Sequence, residues 1–240
     1  MRMIGLLGGM SWESTATYYR RINEQVRERL GGLHSAELLM RSVNFEDIVG
    51  LQKADAWGEA GMALSKLARD LERGGADCIL ICTNTMHKLA DTVQGAVSIP
   101  LIHIGDTTAE AVKKTRARRP LLLATRYTME QNFYVSHLRE KHGVDLIVPE
   151  ADDRSTVHQI IFDELCCGTV LEKSRRRYID IIARGRAAGA DSVILGCTEI
   201  GLLLGPKDID LPVFDSTLIH ADAAVEFSLA QKGAPRRNAA

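Results

Sequence analysis

The sequence predicts an α/β protein made of two similar halves, each built on a parallel sheet. Residues 75–85 and 189–199 both begin with Gly-Ala-Asp, continue as an apolar run and end in small polar residues. Apolar runs of this length, bounded by turn residues, are typical of strands buried on both faces of a parallel sheet. Residues 3–7 and 121–124 form a second repeated pair in the same order. The two repeats together favour a duplicated α/β unit over chance similarity.

The composition narrows the class of protein. The chain has 240 residues, of which 45% are hydrophobic, and a net charge of −1. This charge gives no reason to expect nucleic acid or a membrane as partner. No apolar stretch is long enough to span a membrane, and the N-terminal residues lack the features of a signal peptide. The five cysteines predict reduced thiols and a cytoplasmic protein, and their spacing predicts no metal site.

Apolar periodicity and turn residues predict the order of the elements. The predicted strands cover residues 3–7, 36–43, 78–82, 101–104, 121–124, 144–148, the second repeat and 211–215. The main predicted helices cover residues 12–30, 57–73, 107–115, 129–141, 156–165, 171–188 and 216–231. Residues 45–52 are predicted to form a loop with a short helix, and residues 233–240 a disordered tail.

The turn after the first strand, Gly8-Gly9-Met10-Ser11, precedes a helix that Ser11 can cap. A strand, a glycine turn and a helix N-terminus are typical of a backbone cradle for an anion. The spacing of the glycines does not match the G-x-G-x-x-G fingerprint, so no dinucleotide cofactor is predicted.

The ends of the two repeat strands carry the candidate chemistry. Ligands of open α/β sheets bind beyond the carboxyl ends of the strands, where the second repeat places Cys197 and the first places Thr83. Two halves facing each other about a pseudo-two-fold axis would bring both residues to one pocket from opposite sides. A carbon atom held between them can lose a proton on one face and regain it on the other. That geometry suits a racemase or an epimerase, and a thiol with a pKa near 8.5 suits the acid/base role.

Three motifs carry a resemblance to a known family: Gly8-Gly9-Met10-Ser11-Trp12-Glu13-Ser14, Cys82-Thr83-Asn84-Thr85-Met86-His87 and Gly196-Cys197-Thr198-Glu199. In this order they resemble the aspartate/glutamate racemases, and most closely a bacterial branch with aspartate/glutamate-specific or broad-specificity members. The resemblance implies a racemase that uses no cofactor, neither pyridoxal phosphate nor a metal. It also implies a small amino acid as substrate, with aspartate or glutamate favoured, and a homodimer.

The resemblance further implies two α/β domains with the active site between them. The first domain is expected to comprise residues 1–98 together with 209–240, and the second residues 99–208. The return of the C-terminal segment to the first domain comes from the resemblance alone.

One departure from the family concerns the first catalytic position. Aspartate racemases have a cysteine directly before the Asn-Thr pair, whereas this chain has Thr83 there and Cys82 one residue earlier. The same threonine occurs in an enterobacterial-type branch. We expect Cys197 and Thr83 to form the catalytic pair, with Thr83 the weaker acid/base group because its hydroxyl pKa lies far above the working range. Cys82 remains an alternative, although strand alternation points it to the opposite side from residue 83.

Further site residues follow from the resemblance. The residues expected to contact the substrate are Met10, Gln52, Asn84, Thr85, Thr198 and Glu199. Their ordinary alternatives are core packing for Met10, helix capping for Asn84 and Thr85, and a salt bridge for Glu199. Arg126 is a candidate partner for a substrate side-chain carboxylate. The adjacent Cys166 and Cys167 are interpreted as structural.

Two other functions are compatible with the same residues. Relatives of the superfamily include decarboxylases and other isomerases in which the cysteine protonates a carbanion or acts as a nucleophile. Alternatively, the chain is an amino-acid-binding protein whose turnover became weak when threonine replaced the first thiol. A new product would indicate the first alternative, and binding without α-proton exchange the second.

Overall fold

The computed structural model describes residues 1–230, so the predicted disorder of residues 233–240 lies outside the described part of the chain. Within that part, the strands form two three-stranded sheets in which every pair is parallel. The strands are β1 (Ile4–Gly8), β2 (Leu38–Ser42), β3 (Cys78–Ile81), β4 (Pro120–Leu123), β5 (Ser192–Leu195) and β6 (Val213–Asp215). The predicted α/β class with parallel sheets is therefore confirmed.

The helices are α1 (Trp12–Leu30), α2 (Phe45–Lys53), α3 (Trp57–Arg73), α4 (Ala90–Gln94), α5 (Ile104–Lys113), α6 (Arg126–Glu130), α7 (Asn132–His142), α8 (Ala151–Asp163), α9 (Glu172–Ala187), α10 (Ile200–Leu203) and α11 (Ser216–Leu229). Short 3₁₀ helices cover Thr85–Leu89, Leu165–Cys167 and Pro206–Asp208. None of the helices within residues 1–230 is both long and apolar enough to cross a membrane.

Some elements differ from their predictions. The segment predicted as a loop with a short helix is a regular helix, α2. The helix predicted over residues 129–141 is divided into α6 and α7 at Gln131, whose backbone is extended. The strands predicted at residues 101–104 and 144–148 are reduced to single bridges, from Leu101 to Ile79 and from Ile147 to Leu121. These bridging residues lie at sheet edges, where pairing on one side alone sustains little regular strand.

The two sheets have the same strand order once the bridges are included. The first sheet runs β2-β1-β3 and continues to Leu101, and the second runs from Ile147 to β4-β5-β6. The repeat strands β3 and β5 thus occupy equivalent positions, as do β1 and β4. This equivalence supports the duplication inferred from the repeats.

The halves exchange their last helices. After Leu101 the chain enters α5, which packs against α7 and β6 of the second half. After β6 the chain enters α11, which packs against α1 of the first half. The domain division at residues 98 and 209 stays a prediction. The hydrogen bonding between strands favours points further along the chain at which it passes from one half to the other. Leu101 pairs with the first sheet, and β6 with the second.

Side chains of β1 and β3 alternate between two apolar layers. Leu7, Ile79 and Ile81 face the layer that includes α3, whereas Leu80 and Cys82 face the layer built by α1 and α11. Successive side chains of a strand point in opposite directions. The Cys82 side chain is therefore fully buried between sheet and helices.

Candidate active site

A small cavity of about 20 Å³ lies beyond the carboxyl ends of strands from both sheets. Met10 and Thr83 enter it from the turns after β1 and β3, and Thr125 and Cys197 from the turns after β4 and β5. The complete lining is Met10, Phe45, Gln52, Thr83, Thr85, Thr125, Ile161, Phe162, Cys166, Cys197 and Glu199. A molecule bound here would contact both halves at once.

Two glycines allow these turns to form. Gly9 has a φ of +87°, and a Cβ atom there would overlap the backbone of Val43, so only glycine fits the turn that carries Met10. A Cβ atom on Gly196 would lie 2.7 Å from Cδ1 of Leu122. Glycine at this position lets the strand end that carries Cys197 pack closely on its neighbour.

The buried carboxylate of Glu199 accepts hydrogen bonds from three side chains. Its Oε2 accepts hydrogen bonds from the Cys197 thiol at 3.0 Å and from the Thr198 hydroxyl at 2.6 Å. Its Oε1 accepts one from the Ser11 hydroxyl at 2.6 Å. Ser11 belongs to the turn after β1, so this carboxylate also joins the two halves. The thiol proton of Cys197 is thus held by a group that can accept it.

Cys197 is a protonated thiol in this closed arrangement. Burial raises its pKa well above the usual thiol value, and the negative charge of Glu199 raises it further. The Sγ–H group is therefore the form that donates to the carboxylate. A cation brought beside the pair would shift the balance toward the thiolate, because an opposite charge favours the ionised form.

The main chain of Thr83 is held by a histidine. Nε2 of His87 accepts a hydrogen bond from the Ile104 amide at 3.1 Å, so Nδ1 carries the proton and donates to the Thr83 carbonyl at 2.8 Å. Burial lowers the pKa of His87 well below its usual value, so the ring is neutral at pH 7. His87 thereby fixes the backbone from which the Thr83 side chain enters the cavity.

Neighbouring hydroxyls form a polar wall. The Thr85 hydroxyl lies 2.9 Å from that of Thr125 and 3.3 Å from that of Thr128, again joining the two halves. The Asn84 amide donates to the Ser216 hydroxyl at 3.0 Å, and its Oδ1 is buried without a partner among the described residues. The hydroxyls and the Asn84 amide are donors of the kind that bind a carboxylate.

Gln52 presents a second unsatisfied oxygen. Its Nε2 donates to the sulfur of Met86 at 3.1 Å, whereas its Oε1 is buried with no partner among residues 1–230. A buried amide oxygen without a donor is costly. A bound ammonium or hydroxyl group would therefore be stabilised at this position.

Comparison with known proteins places this site in a family. The sequence model described as Asp/Glu/hydantoin racemase matches residues 7–224. The chain belongs to the Asp/Glu/hydantoin racemase family. It is accordingly an isomerase of the racemase type.

Individual relatives agree with this assignment. Over 95% of this chain and 99% of its own length, the broad specificity amino-acid racemase RacX of Bacillus subtilis is 22% identical. A crystal structure from Yersinia pestis, provisionally described as an Asp/Glu racemase, is 48% identical with a TM-score of 0.89, covering 96% of this chain and 100% of its own. An aspartate racemase homologue from Pyrococcus horikoshii is 35% identical with a TM-score of 0.83, covering 95% and 99%.

Most of the residues predicted for this racemase come together. Met10, Gln52, Thr83, Thr85, Cys197 and Glu199 all line the cavity. Asn84 and Thr198 lie directly behind it, bonded to Ser216 and Glu199 respectively. Their roles toward a substrate stay predictions.

Other lining residues of the racemase were missed by sequence reasoning. They are Phe45, Thr125, Ile161, Phe162 and Cys166. Thr125 could have been found, since it follows the strand that repeats residues 3–7. Cys166, interpreted from the sequence as structural, is half-buried and lines the cavity. Phe45, Ile161 and Phe162, which lie on helices, have no sequence feature that indicates a site, because apolar side chains on a helix usually belong to the core.

One cluster with metal-binding residue types lies outside the cavity of the racemase. His103, Asp106 and His137 offer ligand atoms within 4.8 Å of one another. The Asp106 carboxylate already accepts from His137 at 2.5 Å and from Lys141 and His142, both at 2.8 Å. With the lysine ammonium as its counter-charge, the cluster is satisfied as a surface network.

Proposed function

We propose that this racemase interconverts L- and D-amino acids by moving the α-proton between Cys197 and Thr83, with no cofactor. The observation that carries the proposal is the placement of these two residues. Each follows the equivalent strand of its half, β5 or β3, and both line the same cavity. A substrate α-carbon in the cavity would then have one of them on each face.

At Cys197 the reaction begins with transfer of the thiol proton to Glu199. The 3.0 Å hydrogen bond between Sγ and Oε2 is the route for this proton. The substrate ammonium, placed beside Glu199, supplies the positive charge that favours the thiolate. The thiolate then removes the α-proton, which restores the thiol and leaves a carbanion on the substrate.

On the opposite face the Thr83 hydroxyl donates a proton to the carbanion. Thr83 regains its proton from water, and Glu199 loses the proton it took from Cys197 to water. Because each pKa unit is worth about 1.36 kcal/mol, a threonine alkoxide is a much harder species to form than a thiolate. Turnover is therefore expected to be slow, or faster in one stereochemical direction than in the other.

Hydrogen-bond donors around the cavity would hold the α-carboxylate and the developing negative charge. The Thr85 and Thr125 hydroxyls and the main-chain amides of residues 83–85 and 197–199 are the available groups. Fixed donors stabilise a carbanion without the reorganisation that water requires. Aspartate and glutamate are suggested as substrates by the names of relatives, and a broader range by RacX.

The test is α-proton exchange in deuterated water, followed by NMR for separate L- and D-amino acids, with chirality read by chiral chromatography. We expect exchange with inversion in the purified protein without pyridoxal phosphate, and none in Cys197→Ala. Thr83→Cys should raise the rate of inversion. Lower activity in a folded Thr83→Cys variant would contradict the pairing, and binding without any exchange would favour the amino-acid-binding alternative.

We also propose that the protein is a cytoplasmic homodimer, the assembly expected from the family resemblance. One face of α1 supports the dimer: Trp12 and Tyr19 are exposed one heptad apart, and Tyr19 lines one groove together with the fully exposed Leu33. The groove between α1 and Leu33 also carries Glu24 and Arg27, so a two-fold pairing can bring opposite charges together.

For this face we predict that Leu33→Asp lowers the dimer fraction measured by light scattering after size exclusion. Met62→Asp, which changes an equally apolar exposed side chain on α3, should leave the dimer intact. A monomeric wild-type protein, or equal effects of the two variants, would contradict this interface.

A further inference from the structure

The hydroxyl of Ser216 joins the two strand ends from which the proposed catalytic pair enters the cavity. It donates a hydrogen bond to the Leu195 carbonyl at 2.7 Å and accepts one from Nδ2 of Asn84 at 3.0 Å. Leu195 is the last residue of β5, two residues before Cys197, whereas Asn84 directly follows Thr83. One side chain of α11 therefore connects the strand end of the second half with the turn of the first.

The start of α11 holds Ser216 in a fixed place. The preceding residue, Asp215, pairs with Leu195 in the parallel register of β5 and β6. The Asp215 carboxylate also accepts hydrogen bonds from the amides of Thr217 and Leu218, which caps the helix. Ser216 lies between this strand pairing and this cap and is fully buried. Water therefore does not compete for the two hydrogen bonds of its hydroxyl.

Three other hydrogen bonds of the turn after β3 lead away from β5. The Thr83 amide donates to the Ile81 carbonyl at 2.8 Å, and the Thr83 carbonyl accepts from His87 at 2.8 Å. Both partners belong to the first half, so these two bonds fix the shape of the turn. The Thr85 hydroxyl contacts that of Thr125, which follows β4. The hydroxyl on α11 supplies the connection between this turn and β5 itself.

We propose that Ser216 is a positioning residue, which sets the place of Thr83 relative to Cys197 and thereby the fraction of α-proton exchange that ends in inversion. The proposal rests on the racemase mechanism above, in which these two residues act on opposite faces of the substrate. Exchange on the Cys197 face uses the thiol and Glu199, whose bond to Ser11 does not involve α11. Inversion also requires the Thr83 hydroxyl at reacting distance on the other face. A small displacement of its turn therefore reduces inversion while exchange on the Cys197 face continues.

The test measures the ratio of inversion to total α-proton exchange in deuterated water. The probes are the separate L- and D-enantiomers of aspartate, glutamate and alanine, and the ratio is taken for the amino acid that the wild-type protein exchanges fastest. Ser216→Ala removes the hydroxyl. Its control is Ser228→Ala, because Ser228 is also buried on α11 and its hydroxyl also donates to a main-chain carbonyl, that of Arg2 at 2.6 Å. We expect the ratio to fall about tenfold or more in Ser216→Ala and to stay within about twofold of wild type in Ser228→Ala.

The control distinguishes positioning from a general loss of stability, which urea unfolding measures in both variants. An unchanged ratio in folded Ser216→Ala would overturn the proposal, and so would an equal fall of the ratio in the two variants. If Ser216→Ala does not fold, Ser216→Cys keeps the size of the side chain. Because a thiol is a weak donor and a weak acceptor, we expect the ratio to fall at least about threefold in this variant. An unchanged ratio there would also overturn the proposal.

The wild-type measurements separate this proposal from the racemase mechanism. If the wild-type protein exchanges no α-proton, or if its exchange never ends in inversion, the proposed pairing of Cys197 and Thr83 fails and the positioning role fails with it. Inversion by the wild-type protein, together with a wild-type ratio in Ser216→Ala, would overturn the positioning role alone.

Discussion

Glu199 connects the chemistry of one half with the turn of the other, because it accepts from Cys197, Thr198 and Ser11. An acceptor shared by three donors is held in one orientation, so the thiol proton has a fixed destination. The same carboxylate keeps the pKa of Cys197 high while the cavity holds no cation. In the proposed mechanism, thiolate formation is thereby coupled to the arrival of the substrate ammonium.

At this residue we predict that Glu199→Gln slows α-proton exchange by about 10²-fold or more, the range for loss of a general acid/base group. Glutamine has the same shape, but its single oxygen can accept from either Thr198 or Ser11 and not from both, and it cannot take the thiol proton. Ser11→Ala, which removes one donor and keeps the carboxylate, should cost much less. Exchange in Glu199→Gln within a few-fold of wild type would contradict the proton transfer.

At the scale of elements, α2 and α8 close the cavity from opposite halves. Phe45 stacks on Phe162, and Trp57 at the start of α3 lies edge-on to Tyr127 of α6, with ring centres 5.8 Å apart. Both pairs join elements that are far apart in sequence. They therefore hold the halves together, in addition to the crossing helices α5 and α11.

This contact predicts a measurable coupling. In a double-mutant cycle of Phe45→Leu and Phe162→Leu, we expect a coupling free energy of about 0.5–1.5 kcal/mol, the usual range for an aromatic pair. Urea unfolding of the four proteins measures it. The same cycle on Phe45 and the non-contacting Tyr178 should give no coupling. A value near zero for the stacked pair would mean that the halves are not held by this contact.

At the scale of the whole molecule, a row of histidines joins the two halves: the partly buried His103 and the buried His220 both contact the ring of the buried His87. His220 of α11 donates from Nε2 to the Ile102 carbonyl at 2.7 Å and accepts from the Tyr18 hydroxyl at 2.7 Å. Burial lowers the pKa of His220 to about 3 and that of His103 to about 4. These rings are neutral in the folded protein. Their protonation at low pH therefore favours the unfolded state.

We predict that the free energy of unfolding decreases as the pH is lowered, because of these histidines. Between pH 6.5 and about 4 the unfolded chain binds protons that the folded chain does not, so acid favours unfolding. From pH 7.5 to pH 5 each buried histidine should cost about 2 kcal/mol. Urea unfolding at the two values measures the loss, and His220→Gln should show a smaller loss than wild type. Equal unfolding free energies of the wild-type protein at both values would contradict the assignment.

Features of the fold that depend on local pattern could be predicted from the sequence. The apolar runs at residues 78–81 and 192–195, each preceded by Gly-Ala-Asp, predicted strands β3 and β5. They also predicted that the two strands occupy equivalent positions in the two halves. Thr83 and Cys197 followed, because strand ends and alternation fix which residue enters the cavity. The opposite burial of Cys82 agrees with the same rule.

The rest depends on tertiary packing. Phe45 and Phe162 line the cavity because α2 and α8, which belong to different halves, meet beside it, and their apolar side chains look like ordinary core positions. Cys166 enters through a 3₁₀ turn that no periodicity indicates. The strands predicted around Leu101 and Ile147 form only single bridges for a related reason. The length of an edge strand depends on its pairing with the rest of the sheet.

The exchange of α5 and α11 between the halves has a consequence for how such a chain could arise. A single unit ending in its crossing helix would need a second copy to receive that helix, so two identical units would form a swapped pair. In that pair the two faces of the shared cavity would carry the same side chain. Joining the units into one polypeptide removes this symmetry, and each face can then mutate alone. Threonine at position 83 and cysteine at position 197 are a difference that a pair of identical units could not have.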